Sequence, residues 1–304
     1  MKELQGYILA LLATMLWGSS FIAARYLLAG TPQTDPLFMV FCRFGIAAAV
    51  IFLISILLKK DIRLTSKRQV WEIFRAAFLL YWAMSLLLFM GQKSASATTG
   101  ALFLESGPAV LAILWKILCR EKTTPVELGG CFLCFIGSMM VLNILTPNGF
   151  NFAGNWIGQT LLLTSAVSWV AGSVYTRKLM QTSDKLTTTG WLCLTAALLT
   201  LPVMGIFHES IIIPRTFPAW SILFYFGVFP TAAAFVFWNT AMLHLPLWKL
   251  NLMQNLTPLF TLTGAYFLLG EKLSPFGLAG MFIVLGSLSA IVLLTAKSPP
   301  PQKQ

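Results

Sequence analysis

Four ionisable side chains, Arg25, Arg43, Glu105 and, at the end of its run, Arg177, stand inside long apolar runs of this chain. A charge in such a place is costly unless it finds a partner, so each marks either a brace between segments or a place where a ligand is met. Arg43 and Glu105 suit one another as an ion pair. They also suit a zwitterion, with Arg43 or Arg25 meeting a carboxylate and Glu105 holding an amine or a proton. Arg25 has a plainer alternative, since its long stem can carry the charge to a polar interface. Neutral groups fit to line a small-molecule pocket are Trp17, Ser20, Tyr81, Trp82, Trp169, Trp238, Asn239, Gln254 and Asn255. Pockets of this kind are mostly apolar with a few placed polar groups, and ring faces stack on planar solutes or meet cationic ones. Each aromatic could equally anchor a helix at a lipid interface. Trp17 and Trp169 stand apart because they recur at matched positions, flanked by small residues.

The elements that must position these groups are apolar helices. The chain is 57% hydrophobic and 10% charged, with mean hydropathy +0.79. Ten runs read as membrane spans: 7–28, 36–58, 71–90, 97–118, 127–145, 156–179, 188–207, 220–242, 248–269 and 275–294. About twenty residues of helix cross roughly 30 Å of hydrocarbon. The first run is too long for a removed signal peptide and lacks a small-residue cleavage site. The net charge of +11 reports topology rather than nucleic-acid binding. With the N-terminus inside, sixteen Lys and Arg fall on the cytoplasmic side, and only Lys93, Arg215 and Lys272 fall outside. That bias predicts an inner-membrane, multi-pass protein with both termini cytoplasmic and its basic loops against anionic lipid.

The chain also repeats itself. Pro108, Glu121, Lys122, Pro125 and Gly130 return 150 positions later as Pro258, Glu271, Lys272, Pro275 and Gly280. Trp17 and Arg25 return 152 positions later as Trp169 and Arg177. The expected organisation is a first repeat over 1–147, a second over 148–296 and a short cytoplasmic tail over 297–304. A polar turn around Asn148-Gly149 lies at the junction. Five spans per half is an odd number, so the second copy would sit upside down relative to the first. Secondary carriers built this way bind a solute where the repeats meet. Pro108 and Pro258 interrupt corresponding helices and are candidate hinges or site breaks. Gly129, Gly130, Gly137, Gly277, Gly280 and Gly286 mark the fifth and tenth spans as scaffold or homodimer-contact helices.

These motifs resemble the EamA-type members of the drug/metabolite transporter superfamily. The resemblance rests on Gly107-Pro108 through Arg120-Glu121-Lys122-Thr123-Thr124-Pro125, on Thr257-Pro258 through Gly270-Glu271-Lys272-Leu273-Ser274-Pro275, and on Trp17-Gly18-Ser19-Ser20 in the first span. It covers nearly the whole chain. It implies an all-α polytopic carrier of ten helices in an inverted five-plus-five repeat, exporting amino acids or other small metabolites. Trp238-Asn239 loosely resembles the aromatic amino-acid exporter branch. Leu104-Glu105-Ser106-Gly107 departs from the small or apolar residues usual before the first proline.

Other classes lack their parts. There is no H-E-x-x-H and no G-x-S-x-G, and the only histidines are His208 and His244, so an intramembrane enzyme is disfavoured. No ring of like charges suggests a channel. Cys131 and Cys134 form a C-x-x-C without a second pair, and neither metal, disulfide nor cofactor is expected. The partners expected are a small-molecule solute and the lipid bilayer, with Glu105 as the candidate for proton coupling. An organic cation held by Glu105 and the tryptophans is the alternative to a zwitterion.

Overall fold

The computed structural model describes residues 2–29, 33–64, 66–104, 124–141, 144–150, 156–207, 211–241, 244–245 and 247–295. Its elements are helical: α1 (Lys2–Ala29), α2 (Pro36–Leu57), α3 (Lys67–Gln92), α4 (described over 97–104), α5 (Pro125–Val141), α6 (Trp156–Thr182), α7 (Lys185–Ile206), α8 (Phe217–Gly227, continuing through Val228–Ala233 and Ala234–Ala241), α9 (Leu247–Gln254), α10 (Thr257–Leu269) and α11 (Pro275–Thr295). Among the described residues six helices are long and apolar enough to cross a membrane, and α5 and α10 are shorter apolar helices. Their outer faces stay apolar: Phe217 is 84% exposed and Phe267 76%. Such a surface is stable against lipid rather than water.

Helix starts follow local chemistry. Asp35 caps α2 by accepting from Leu37 N at 2.8 Å, with Pro36 in the first turn, where its missing N–H costs nothing. Asp184 caps α7, accepting from Leu186 N and Thr187 N. Burial works against the Asp184 carboxylate, but hydrogen bonds from Lys60 and Thr187 and the Lys60 charge hold its pKa below the ordinary range. The junction expected to be a turn is a short antiparallel hairpin, β1 (Leu145–Thr146) with β2 (Gly149–Phe150). Gly149 supplies the positive φ of +108° that its turn requires. The expected ninth span is not one helix. It breaks at Asn255–Leu256, and Pro258 opens the next segment, because a proline has no N–H to offer the preceding turn.

Corresponding elements recur in both halves. Helices α2 and α7 start 149 positions apart, at 36 and 185, and α5 and α11 start 150 apart, at 125 and 275. Two π-helical stretches, Ala77–Ala83 in α3 and Val228–Ala233 in α8, start 151 apart, a correspondence the sequence reading did not anticipate.

These mates pack antiparallel. At one end of the α2–α7 pair Asp35 N donates to Ile212 O; at the other Lys60 Nζ meets Asp184 Oδ2 at 2.5 Å. In the α5–α11 pair, Gly130 lies under Ile291, Cys134 Sγ points to Val284 O at 3.8 Å, and Gly137 faces Gly280. Neighbours exchange in the same way. Helix α1 lies on α8 while α6 lies on α3; α2 touches α8 while α7 touches α3.

The glycines of α5 and α11 divide by what they face. A Cβ on Gly280 would fall 2.6 Å from Gly137 O and 2.6 Å from Met140 Cβ, whereas Gly129 and Gly286 have nothing within 4 Å. Close backbone approach is what packs helices in lipid, where the hydrophobic effect between them is weak. Gly280→Ala should therefore lower stability by about 1–3 kcal/mol, the cost of overpacking against backbone. Gly286→Ala should leave it unchanged or raise it slightly. Melting midpoints of the two purified variants in detergent read this directly, and equal midpoints would refute the assignment.

Candidate functional site

A narrow, partly open cavity of about 40 Å³ is lined by residues of both halves, from α1, α2, α3, α4, α6 and α8. Trp17 and Ser20 come from α1, Arg43 from α2, Tyr81 from the π-helical stretch of α3, and Trp169 from α6. These five sequence candidates meet in one place. Trp17 is 9% exposed and packs against Trp238 and Phe235, with centroids at 4.9 and 5.8 Å. Ser20 donates to its own helix, at Trp17 O, so its oxygen stays free to accept.

Arg43 is the charged residue of this lining, and it is 7% exposed. Its guanidinium carbon sits 4.8 Å from the Phe226 ring centroid, 5.2 Å from Phe44 and 5.8 Å from Phe89. Its Nε donates to Thr231 Oγ1 at 2.9 Å. Ring faces carry negative potential and stabilise a cation that has lost water. Glu105, the expected ion-pair partner, lies outside the described residues, as do Pro108, Glu121 and Lys122. Its sequence neighbour Leu104 lines the cavity.

The remaining candidates lie elsewhere. Arg25 does not face the cavity. Its Nε pairs with Glu271 at 3.3 Å, and its Nη1 donates to Gln92 O and Lys93 O. Glu271 in turn accepts from Ala97 N at 3.0 Å, where α4 begins. The Arg25–Glu271 pair thus ties α1, the end of α3, the start of α4 and the loop before α11. Trp82 stacks on Phe78, and its Nε1 is buried without an acceptor among the described residues. Trp238 backs Trp17 from outside the lining. Asn255, at the break before α10, reaches Ser289 Oγ at 3.5 Å, and Gln254 is half-buried beside it. The Asn239 side chain is not among those described.

Sequence reasoning missed Thr231, Phe235, Phe21, Phe44 and Leu88. Thr231 was within reach: the 150-position shift carries Tyr81 onto it. Both sit on π-helical stretches, which cluster at functional sites. The stretches have different causes. In α8, Pro230 has no N–H for Phe226 O, and Thr231 Oγ1 donates to that carbonyl instead. In α3, Ser168 Oγ reaches in from α6 to donate to Leu79 O at 2.7 Å, and Gly172 has no Cβ to collide with Leu80 N.

Apolar helices with antiparallel repeat mates around an aromatic cavity define a polytopic membrane protein of duplicated architecture. The EamA-like transporter family model matches residues 4–143 and 156–293, one match per repeat. The chain belongs to that family, as the paired motifs implied. It is 25% identical over 296 residues to the uncharacterized transporter YyaM of Bacillus subtilis, covering 95% of this chain and 94% of that one. It is 25% identical over 291 residues to a probable amino-acid metabolite efflux pump of Salmonella typhimurium, covering 92% of each. It is 23% identical to a biotin transporter of the same organism, covering 82% of this chain and 80% of that one. A solved crystal structure shares the fold at TM-score 0.66 and 19% identity, covering 96% of this chain and 99% of its own.

The Glu271 bond to Ala97 N acts as a helix N-cap supplied from another part of the chain, and caps contribute about 0.5–2 kcal/mol. Glu271→Ala should open the first turn of α4. Amide exchange at Thr98–Gly100 should then quicken by about tenfold, the equivalent of ~1.4 kcal/mol of local opening. Unchanged exchange there would show that the Glu271 carboxylate does not hold the start of α4.

Proposed function

We propose that this protein is a secondary carrier that exports small organic solutes bearing a carboxylate, amino acids and related zwitterions foremost. Ten crossings form two opposed five-crossing units with both ends cytoplasmic, and the solute moves by alternating access across the inner membrane. The observation that carries the reading is a buried arginine at an otherwise mostly apolar, aromatic-rich cavity lined from both repeats. A guanidinium there offers a carboxylate two parallel donors in low dielectric, where charge-assisted hydrogen bonds are strongest. The ring faces of Trp17, Tyr81, Trp169 and Phe235 suit the apolar remainder of such a solute. Antiparallel packing of the mates α2 and α7, and of α5 and α11, supports the opposed orientation. Glu105 follows cavity-lining Leu104 and is the candidate for holding an amine or a coupling proton.

The cargoes for which two relatives are named support a carboxylate. One is a probable amino-acid metabolite efflux pump, and biotin, the cargo named for another, also ends in a carboxylate. The aromatic lining favours a second reading, an organic cation held by ring faces with Arg43 as a structural brace.

Counterflow in proteoliposomes over a panel of amino acids, biotin, amines and purines tests both. The wild-type protein should move one or more carboxylates. Arg43→Gln should slow them by about thirtyfold or more, since removing one member of a buried charged pair costs 2 kcal/mol or above. Carboxylate exchange at the wild-type rate in that variant would reject the anchor and favour the cation reading. Run with and without a pH gradient, the same assay separates proton exchange from uniport.

A further inference from the structure

Arg43 stands on α2, but the group that orients it comes from α8. Pro230 leaves Phe226 O without its usual donor, and Thr231, fully buried, gives that carbonyl its hydroxyl proton at 2.9 Å. A hydroxyl has one proton. With it committed to Phe226 O, Thr231 Oγ1 can offer Arg43 only lone pairs, and Arg43 Nε donates to them at 2.9 Å. The π turn thus makes Thr231 a fixed acceptor.

The surroundings complete the setting. A Cβ on Gly227, the residue before the π turn, would fall 2.6 Å from Ile46 Cβ and 3.1 Å from Arg43 O, so the glycine lets α2 seat closely on α8. The rings of Phe44, Phe89 and Phe226 surround the guanidinium carbon. The guanidinium is planar, so holding its Nε edge fixes the direction of its two Nη groups. Those groups find no hydrogen-bond acceptor among the described residues, and Arg43 borders the cavity.

We propose that Thr231 is a positioning residue for solute recognition. Its hydroxyl holds the Arg43 fork in the plane where a solute carboxylate meets both Nη groups, and so sets the preference for carboxylates over their neutral or cationic analogues. This deepens the carboxylate reading above and rests on it.

Binding is measured on the purified full-length protein through quenching of tryptophan fluorescence, since Trp17 and Trp169 line the cavity. The probes are L-leucine, L-phenylalanine and biotin, each beside its amide, which lacks the carboxylate. Thr231→Val keeps the shape and removes the acceptor. It should raise Kd for the acids by about tenfold and leave the amides unchanged, as expected for a lost hydrogen bond to a charged group. Thr231→Ser should return the acids to within about threefold of wild type. In an Arg43→Lys background, where no planar fork exists, adding Thr231→Val should change Kd by less than about twofold. A smaller variant, Thr231→Ala, carries the same test if the valine form does not purify as a folded protein. Acids bound as tightly by Thr231→Val as by wild type overturn the positioning role alone, as does equal weakening of acids and amides. Wild-type protein that binds none of the three acids overturns the carboxylate reading and this inference with it.

Discussion

A guanidinium buried at membrane depth has to be held on every side, and much of this architecture follows from holding Arg43. Water cannot solvate it there, so other helices must. Rings from α2, α3 and α8 cover its faces, and a hydroxyl from α8 takes its Nε. None of these groups is near Arg43 in sequence except Phe44. The arginine is therefore an organising charge: α2, α3 and α8 meet where they do because separating them would strand it. What is left over, one edge of the guanidinium toward the cavity, is where the proposed function has a solute complete the shell.

A second constraint shapes the helices themselves. In lipid every backbone N–H and C=O must find a partner inside the protein, so irregular backbone persists only where something else satisfies it. Each interruption has its answer. Thr231 supplies Phe226 O where Pro230 cannot, and Ser168 supplies Leu79 O from a neighbouring helix. The stretch in α3 lends Leu80 and Tyr81 to the cavity lining, the one in α8 touches cavity-lining Arg43 through Thr231, and the two occupy matched places in the two repeats. The duplication thus extends from sequence motifs to local departures from helical geometry.

Much of the fold was legible in the sequence because it follows from local or periodic signals. Apolar run length located most helices, the run expected from position 36 begins where α2 does, and the paired Glu-Lys motifs announced the repeat. The cavity was partly legible. Trp17 and Trp169 stood out through the repeat shift, and Arg43 through the cost of its burial. Arg25 stood near the end of its expected span, where snorkelling was an open alternative; the partner it has, Glu271, lies 246 positions away, and no local pattern encodes a pair so distant. Trp82 and Tyr81 are adjacent, and only the π-helical register decides that Tyr81 faces the cavity while Trp82 stacks on Phe78. Thr231 looked ordinary because its role depends on the proline before it and on an arginine brought in by another helix.

The central claim is that one cavity between two opposed repeats serves both faces of the membrane. It is tested most directly by a single cysteine at Ser20, introduced after Cys42, Cys119, Cys131, Cys134 and Cys193 have been replaced. A membrane-impermeant maleimide is applied to vesicles of either orientation, with and without a solute that the carrier binds. The account predicts labelling of this one position from both faces and protection from both by the same solute. Labelling from one face only, whatever the solute, would contradict it.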